Sequence, residues 1–283
     1  MEEQPQIAVI VPCFNDGALV TETVDSVKEA SIPVEVVVVD DASPDPHTHR
    51  VLDELASIGV KVIRHETNLG VSGARNTGLR TTSAPLVFPL DSDDLVPPGA
   101  LAKMVEALDL DPGAAVAYGD YREFGEHERM RAVPPTIDTY RLMYTNEYPA
   151  SALWRRTMLE EIGGWNATRI NGYYYEDWDL WLTAAERGER GVHMGAGFET
   201  YCQRVHGPRL LESIRREHVP IYRMMRVDHA AVFSRRGHHR RRSDLSLLRA
   251  WLYPIVYGRR HRFAFEPKIK GMLDRLGVWT LRR

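Results

Sequence analysis

Short apolar runs alternate with segments of helical periodicity along the first 119 residues. Valine, isoleucine and leucine dominate the runs, as expected of strands that are covered on both faces. In the first intervening segment, Val20, Val24 and Val27 recur at helical spacing. This alternation predicts an α/β fold with a mostly parallel, doubly wound central sheet flanked by helices and right-handed crossovers. The predicted strands are residues 7–11, 34–39, 60–64, 85–90 and 115–119, and the predicted helices are residues 18–30, 51–58, 72–79 and 100–108.

The regular alternation ends after the fifth predicted strand. Residues 120–150 mix polar, aromatic and proline residues without a clear period, and we interpret them as an insertion over the site. Helices are predicted at residues 155–162, which end at a Gly163-Gly164 signal, and at residues 176–187. Further Arg-rich helices are predicted at residues 212–235, 245–257 and 266–276, with Gly237 and Gly258 as breaks.

Charge divides the chain in two, although the formal net charge is only −3. Residues 1–203 contain 16 basic and 33 acidic side chains, whereas residues 204–283 contain 20 basic and 6 acidic ones. A basic C-terminal portion can attract nucleic acid or anionic lipid headgroups. The simpler interpretation is a solvated helical face, or a surface that complements the acidic body.

The sequence features that report on location indicate a cytoplasmic protein. The first residues have neither the positive region nor the apolar region of a secretory signal, and no apolar stretch reaches the length of a membrane span. The two cysteines, Cys13 and Cys202, fit a reduced compartment. Two cysteines also exclude a disulfide framework and a cysteine-based zinc site.

Acidic clusters follow the second and the fourth predicted strands, as Asp40-Asp41 and as a run from Asp91 to Asp94. Ligands of open α/β sheets bind beyond the carboxyl ends of the strands, so we expect both clusters at one shared site. Asp91 and Asp93 are separated by one residue, and both can approach a hard divalent cation such as Mg²⁺ or Mn²⁺. The alternative is a loop in which Asp94 caps the next helix.

Asp41 and a small-residue loop are candidates for nucleotide binding. The ionised carboxylate of Asp41 can accept hydrogen bonds from a base or a ribose, although an Asx-type turn with Ser43 is the alternative. The run from Asn68 to Gly78 supplies small residues and Arg75 at a helix start, where phosphate binds readily. Alternatively, these glycines permit close packing between helix and sheet.

The third acidic cluster, Glu176-Asp177, opens a predicted helix. Acids in a first helical turn complement the helix dipole, which is sufficient reason for them to be there. A carboxylate at a cleft rim can also act as a general base, which contributes roughly 10²–10⁴ in rate. His206 ends a further predicted strand and is a candidate metal ligand, although a single histidine among eleven is more often structural.

Taken together and in this order, the clusters resemble glycosyltransferase family 2, the inverting nucleotide-sugar-dependent enzymes with the GT-A fold. The resemblance covers residues 6–207. Ala42 stands where the family often has glycine, and the basic segment after Gly207 matches none of its motifs. The similar motifs are the opening strand with Pro12 and Phe14, the D-D-x-S turn at 40–43, the N-x-G and A-R-N-x-G stretch at 68–78, the D-x-D at 91–93, the Gly-Gly-Trp at 163–165 and the E-D at 176–177.

The resemblance implies a domain organisation. Residues 1–207 would form the GT-A catalytic domain, with a nucleotide-binding half at 1–119 and an acceptor half at 120–207. Residues 208–283 would form a helical, Arg-rich C-terminal extension.

The resemblance also implies roles for individual residues. Pro12, Phe14 and Asp41 would hold the nucleotide base, Arg75 would lie near the base or the diphosphate, and Asp91 would lie by the ribose. Asp93, together with Asp91 and His206, would coordinate the metal, and Asp177 would be the catalytic base. Three more residues of the donor-binding set are Asn68, Gly70 and Ser92.

The implied reaction is a single displacement at the anomeric carbon of a nucleotide-sugar, with inversion of configuration. Mn²⁺ or Mg²⁺ would neutralise the diphosphate leaving group, and Asp177 would accept the proton of the nucleophile. A UDP-sugar is the expected donor, although GDP and dTDP fit the same contacts. The acceptor is open among a small molecule, a peptide, a lipid-linked sugar and a glycan.

Two other functions stay open at this point. One is a non-catalytic nucleotide-sugar-binding module whose basic tail docks on a membrane or on nucleic acid. The other is a sugar nucleotidylyltransferase, which would normally have a Gly-rich loop after the first strand, where residues 12–17 contain one glycine. Neither G-x-G-x-x-G nor a P-loop motif is present. An anionic membrane surface and a second copy of the chain are candidate partners, and we do not expect nucleic acid to be one.

Overall fold

The computed structural model describes residues 4–168, 175–206 and 217–257. Its contacts group these residues into two compact units, which we describe separately. The first unit contains residues 4–136, 149–168 and 189–206, and the second contains residues 137–148, 175–188 and 217–257. Part of the predicted insertion, residues 137–148, therefore belongs to the same unit as the described residues of the predicted C-terminal extension, whereas residues 120–136 belong to the first unit. The predicted domain boundary at residue 207 stays a prediction.

A seven-stranded sheet forms the centre of the first unit, and it is parallel except for β8, so the predicted mostly parallel α/β fold is confirmed. Every residue of β1 is buried, as its continuous apolar sequence requires of a strand covered on both faces. The strands, in the spatial order β3-β2-β1-β4-β8-β5-β9, are β3 (Lys61–Arg64), β2 (Val34–Asp40), β1 (Ile7–Cys13), β4 (Leu86–Pro89), β8 (Leu153–Arg155), β5 (Ala114–Tyr118) and β9 (Arg190–His193).

The helices of the first unit cover this sheet: α1 (Val20–Lys28), α2 (Pro46–Ser57), α3 (Gly70–Thr81), α4 (Ala100–Leu110) and α6 (Arg156–Glu161). Helix α2 begins where the Asp45 side chain accepts the backbone N–H groups of His47 and Thr48, with Pro46 in the first turn. Helix α3 approaches β1 so closely that a Cβ on Gly78 would lie 2.3 Å from Ile10 Cγ2. Close helix-sheet packing is therefore one reason for the small residues of this run.

The segment without a clear period contains regular structure. It forms β6 (Tyr121–Gly125), β7 (Arg129–Arg131) and, in the second unit, α5 (Thr139–Leu142). Strand β6 pairs with β7 and with β10 (Cys202–Val205), so that these three strands form a second, smaller sheet.

The second unit is helical in its described part. Helix α7 (Glu176–Arg187) has the predicted bounds, and it is followed by α8 (His218–Asp228), α9 (Ala230–Ser234), α10 (Arg236–Arg242) and α11 (Leu247–Val256). The predicted break at Gly237 is wrong, because this residue lies inside α10. The predicted helix at residues 266–276 and the break at Gly258 lie outside the described residues.

Polar and aromatic contacts join the helices of the second unit. Trp178 Nε1 of α7 donates to the Leu142 carbonyl over 2.7 Å. The Arg141 guanidinium lies 2.9 Å from both the Glu147 and the Asp244 carboxylates, which ties the segment before α11 to α5. Among the helices of the described ranges, none is long and apolar enough to cross a membrane.

Candidate active site

A buried arginine holds the first acid of the loop after β4. Arg75 lies on α3 and is 2% exposed, and its NH2 group donates to Asp91 Oδ1 over 2.8 Å. The Asp91 side chain is 36% exposed. Arg75 therefore fixes the orientation of a carboxylate that still faces solvent at the carboxyl end of a central strand.

The remainder of this loop is anchored by β10. Leu95 and Cys202 exchange two backbone hydrogen bonds of 3.0 and 2.8 Å. The Arg204 backbone N–H donates to Asp94 Oδ1 over 2.8 Å, and the Arg204 side chain donates to the Asp93 carbonyl over 2.9 Å. The Asp94 carboxylate thus holds β10. The N-cap residue of α4 is Gly99, so Asp94 does not cap this helix.

His206 follows β10 and is placed beside Asp93 by these contacts. Its Nε2 atom lies 2.9 Å from Asp93 Oδ2. The His206 side chain is 51% exposed and the Asp93 side chain is 28% exposed, so both can reach a ligand. The structure thus brings together two residues that are 113 positions apart in the sequence, and both belong to the predicted metal-binding set.

Negative charge is concentrated at this loop. Burial and the Asp91 charge raise the pKa of Asp93, and the hydrogen bond with His206 opposes this shift only in part. Burial and the charges of Asp91 and Asp93 likewise raise the pKa of Asp94 well above its usual range. A cation bound here would relieve this repulsion between carboxylates.

The residues at the loop fit a partial metal shell. Carboxylate oxygens suit Mg²⁺ and Mn²⁺, which are often bound by one or two protein carboxylates together with substrate phosphates, and histidine is a common metal ligand. The described residues include no group of three or more His, Cys, Asp or Glu side chains that could hold a metal ion. Asp93 and His206 lie together, whereas the nearest charged partner of Asp91 is Arg75.

Ser92 is buried inside the same loop, where its hydroxyl donates to Asp16 Oδ2 over 2.6 Å. Its carbonyl accepts a hydrogen bond from the Thr23 hydroxyl on α1 over 2.8 Å. Ser92 and Thr23 thereby fix the loop to the first β-α unit. Asp16 was not predicted from the sequence, since nothing local connects it to the D-x-D motif.

Asp41 is nearly fully buried and accepts hydrogen bonds at the start of α3. Its Oδ1 accepts from the Leu69 N–H over 2.8 Å, and its Oδ2 accepts from the Gly70 N–H over 2.7 Å. His65 Nδ1 lies 2.7 Å from Oδ1, and Asn68 Nδ2 donates to the Asp41 carbonyl over 3.1 Å. The carboxylate therefore occupies the helix N-terminus that the sequence suggested for phosphate, and it fixes the Asn68–Gly70 loop.

The Asx-type turn, which was the alternative interpretation for Asp41, is formed by the neighbouring Asp40. Asp40 Oδ1 accepts the Ser43 N–H over 3.0 Å and closes the Asx-type turn. The turn also places Ala42 at a φ of 62°, in the left-handed region, where the family often has glycine. The donor-binding role of Asp41 stays a prediction.

The end of β1 lies beside this turn. Pro12 is buried and is paired with Val39 across the sheet, and Phe14 is 45% exposed. The Asn15 N–H donates to the Ser43 hydroxyl over 2.9 Å, which joins the loops after β1 and β2. An exposed aromatic ring at the carboxyl edge of the sheet is available for stacking on a nucleotide base.

Asn76 explains why the Gly-Gly-Trp element accompanies the A-R-N motif. Its Nδ2 donates to the Trp165 carbonyl over 2.7 Å, and its Oδ1 accepts the Trp165 N–H over 2.8 Å. Gly164 has a φ of 84°, and a Cβ at this position would lie 2.2 Å from Asn76 Oδ1. The two motifs are therefore one packing unit, which the sequence separation conceals.

The predicted catalytic base, Asp177, lies in the first turn of α7 in the second unit. Its Oδ2 accepts a hydrogen bond from Asn146 Nδ2 over 2.9 Å, and its Oδ1 accepts the Trp178 N–H over 2.8 Å. These two donors fix the direction of the carboxylate. Asn146 was not predicted, because it lies in the segment without a clear period.

A buried histidine supports the same helix. His229 Nε2 lies 3.2 Å from Asp179 Oδ1, and its Nδ1 lies 2.8 Å from Glu186 Oε2. Burial disfavours the imidazolium, but the hydrogen bonds and charges of the two carboxylates outweigh it, so the pKa of His229 is raised. His229 thus bridges two turns of α7.

The first unit, with its parallel sheet and its acids at the strand ends, has the GT-A architecture of nucleotide-sugar-binding proteins. The sequence model described as glycosyl transferase family 2 matches residues 8–169, and the chain belongs to this family. The predicted resemblance is therefore confirmed.

Comparison with individual proteins agrees on the fold. The Escherichia coli UDP-Glc:alpha-D-GlcNAc-diphosphoundecaprenol beta-1,3-glucosyltransferase WfgD is 28% identical over 62% of this chain and 68% of its own length. S. aureus TarS 1-349, solved with UDP-GlcNAc, has a TM-score of 0.63 and 20% identity, over 97% of this chain and 78% of that one. The mannosyltransferase PcManGT of Pyrobaculum calidifontis, solved with GDP-Man and Mn²⁺, has a TM-score of 0.55 and 18% identity, over 94% and 84%. The chain spans only 22% and 60% of the length of the first two curated relatives that it matches.

Proposed function

We propose that this protein is an inverting glycosyltransferase that moves a sugar from a UDP-sugar to an acceptor hydroxyl with the help of a divalent cation. The observation that carries the proposal is the pairing of Asp93 with His206 over 2.9 Å, beside an Asp91 that a buried arginine holds. Family membership supports the reaction class, and the UDP-sugars named for WfgD and TarS support the donor.

Residues at the carboxyl edge of the sheet would bind the nucleotide. Phe14, which is 45% exposed, would stack on the base, and Pro12 would shape the strand end beneath it. Asp41 would fix the Asn68–Gly70 loop, and its carboxylate would also accept a hydrogen bond from the nucleotide base. Asp91 would accept a hydrogen bond from the ribose, because Arg75 holds it in one orientation.

Asp93 and His206 would hold Mn²⁺ or Mg²⁺, with Asp91 as a further candidate ligand. The Mn²⁺ in the PcManGT complex supports a metal in this fold. The ion, when bound, would neutralise charge on the diphosphate leaving group. Ser92 would contribute by keeping the loop rigid, since its side chain and its carbonyl both bind within the first unit.

Asp177 would act as the general base. The acceptor oxygen would attack the anomeric carbon from the face opposite the diphosphate and transfer its proton to a carboxylate oxygen of Asp177. The bond from the anomeric carbon to the diphosphate oxygen would break in the same displacement, which inverts the configuration. Asn146 would position Asp177 by donating to its Oδ2.

The acceptor would be any molecule with a suitably placed hydroxyl, namely a small molecule, a peptide, a lipid-linked sugar or a glycan.

Cys13 and Cys202 are both free and buried, in agreement with the reduced, cytoplasmic compartment that we expect.

Release of UDP from a panel of UDP-sugars tests the proposal without knowledge of the acceptor, because water can replace the acceptor slowly. We expect release in Mn²⁺ from at least one donor, and a fall of about 10²–10⁴ in Asp177→Asn. Asp228→Asn changes an exposed carboxylate of α8 in the same unit and should keep the rate of the unmodified protein. An Asp177→Asn protein that releases UDP as fast as Asp228→Asn would refute the assignment of the base.

A further inference from the structure

Helix α11 has two apolar faces, of which only one is packed. Ala250, Tyr253 and Val256 are buried, and the Tyr140 hydroxyl donates to the Ala250 carbonyl over 2.7 Å on this side. At about 100° per residue, the exposed apolar residues fall on the opposite side of the helix. They are Leu247, Leu248, Trp251 and Ile255, which are 92%, 56%, 62% and 38% exposed.

Basic residues lie immediately before this apolar face. Helix α10 has the sequence RGHHRRR, and none of its residues is buried. Arg240, Arg241 and Arg242 precede α11 by a short connection, and residues 229–243 contain no Asp or Glu. Within the described ranges, these three arginines form no ion pair with a carboxylate. We call the four exposed apolar residues of α11 and these three arginines the α10-α11 face.

We propose that the α10-α11 face docks on the surface of an anionic lipid bilayer. Exposed Trp, Leu and Ile side chains on one side of a helix can enter the boundary between headgroups and acyl chains, and neighbouring arginines attract anionic headgroups. The proposal concerns where the protein binds, and it holds or fails independently of the sugar-transfer reaction.

Two other occupants fit this face less well. A symmetric dimer through the same surface would cover the apolar row of α11, but it would give the arginines of neither copy an acidic partner, because residues 229–243 contain no Asp or Glu. A nucleic acid would satisfy the arginines through phosphate contacts, but it would leave the apolar row of α11 in water. A bilayer surface satisfies both chemical features together.

Vesicle flotation with the full chain tests the proposal directly. We expect binding to vesicles of 70% phosphatidylcholine and 30% phosphatidylglycerol, and little binding to phosphatidylcholine alone. Replacing the three arginines by Gln should weaken binding on the order of a hundredfold, since each basic residue contributes about fivefold near an anionic surface. Trp251→Ser should weaken it by about tenfold, through the lost apolar burial.

Matched controls change equally exposed residues of the first unit. Leu110 is 80% exposed, and Leu110→Ser should bind like the unmodified protein. Arg50→Gln removes one exposed charge from α2 and should also have no effect. Unchanged melting temperatures for all variants would show that they fold, because every substituted side chain is exposed.

Three results would overturn the proposal. The first is equal flotation of Trp251→Ser, the triple arginine variant and the controls, or no flotation of any protein. The second is a dimer by light scattering that Trp251→Ser dissociates, which would assign the face to a second copy of the chain. The third is salt-sensitive binding to duplex DNA or RNA that depends on the arginines but not on Trp251, together with no flotation.

Discussion

Replacement of Asp41 by asparagine tests whether this buried carboxylate stabilises the start of α3 more than an ordinary helix cap would. The carboxylate is 3% exposed and accepts the N–H groups of both Leu69 and Gly70. Asparagine keeps one acceptor oxygen but directs an NH2 group at the second N–H. The variant therefore loses a hydrogen bond to a charged acceptor and leaves a buried donor unpaired, which together cost about 2–4 kcal/mol.

For a chain of this size, such a loss should lower the melting temperature by roughly 3–7 °C. Asp45→Asn is the matched control: Asp45 caps α2 by the same kind of contact, but at a partly exposed position. Asparagine caps a helix about as well as aspartate, so this variant should change the melting temperature little. UDP affinity should fall only in Asp41→Asn, because the Asn68–Gly70 loop loses its anchor. Equal melting temperatures and equal UDP affinities for the two variants would refute this account.

Substitutions at three further sites test the local geometry by thermal unfolding. Gly164→Ala should cost about 2–4 kcal/mol of stability, because its Cβ would displace the Asn76 side chain. Gly163→Ala has open space at its Cβ and should cost only the left-handed backbone strain of about 1–2 kcal/mol. Equal costs for the two variants would contradict the close packing of Gly164 on Asn76. Ala42→Gly should stabilise by up to about 1 kcal/mol, since Ala42 has a φ of 62°, and destabilisation would contradict the strain. His229→Gln should destabilise more at pH 6 than at pH 9, and the reverse order would contradict the raised pKa.

The sign of the His229 effect follows from proton linkage. The folded protein binds the proton more tightly than the unfolded chain, whose pKa is near 6.5. The stabilisation by the imidazolium is therefore fully present below pH 6.5 and is lost as the pH rises through the folded-state value. Asp179 and Glu186, both on α7, are the carboxylates that contact this ring.

Much of the fold was predictable because its signals are local. The valine run before Asp40 and the alternation of strands with helices predicted the parallel sheet and the edge at which the acidic clusters lie. Strand β8 was not predictable, since its three residues have no periodicity of their own and are held between β4 and β5 by pairing on both sides. Gly237 was predicted as a break, but glycine costs a helix only about 1 kcal/mol, and the four arginines of α10 favour the helix.

The candidate site was predictable as motifs but not as contacts. Asp91, Asp93 and Asp177 follow from short acidic patterns at element ends. The partners of these acids come from distant segments: Arg204 and His206 reach the D-x-D loop through β10, and Asn146 reaches Asp177 from an irregular segment. Such pairings depend on the tertiary fold, and a single sequence does not contain them.

The central claim is that the D-x-D loop binds a nucleoside diphosphate together with a divalent cation. Calorimetric titration of UDP with Mn²⁺ and with a chelator, on the unmodified protein and on Asp93→Asn, tests it most directly. We predict Mn²⁺-dependent UDP binding that Asp93→Asn weakens at least about tenfold, in line with the loss of one charged ligand. Asp109→Asn, an exposed change on α4, should bind as the unmodified protein does. The absence of UDP binding, or binding that neither the chelator nor Asp93→Asn alters, would contradict the account.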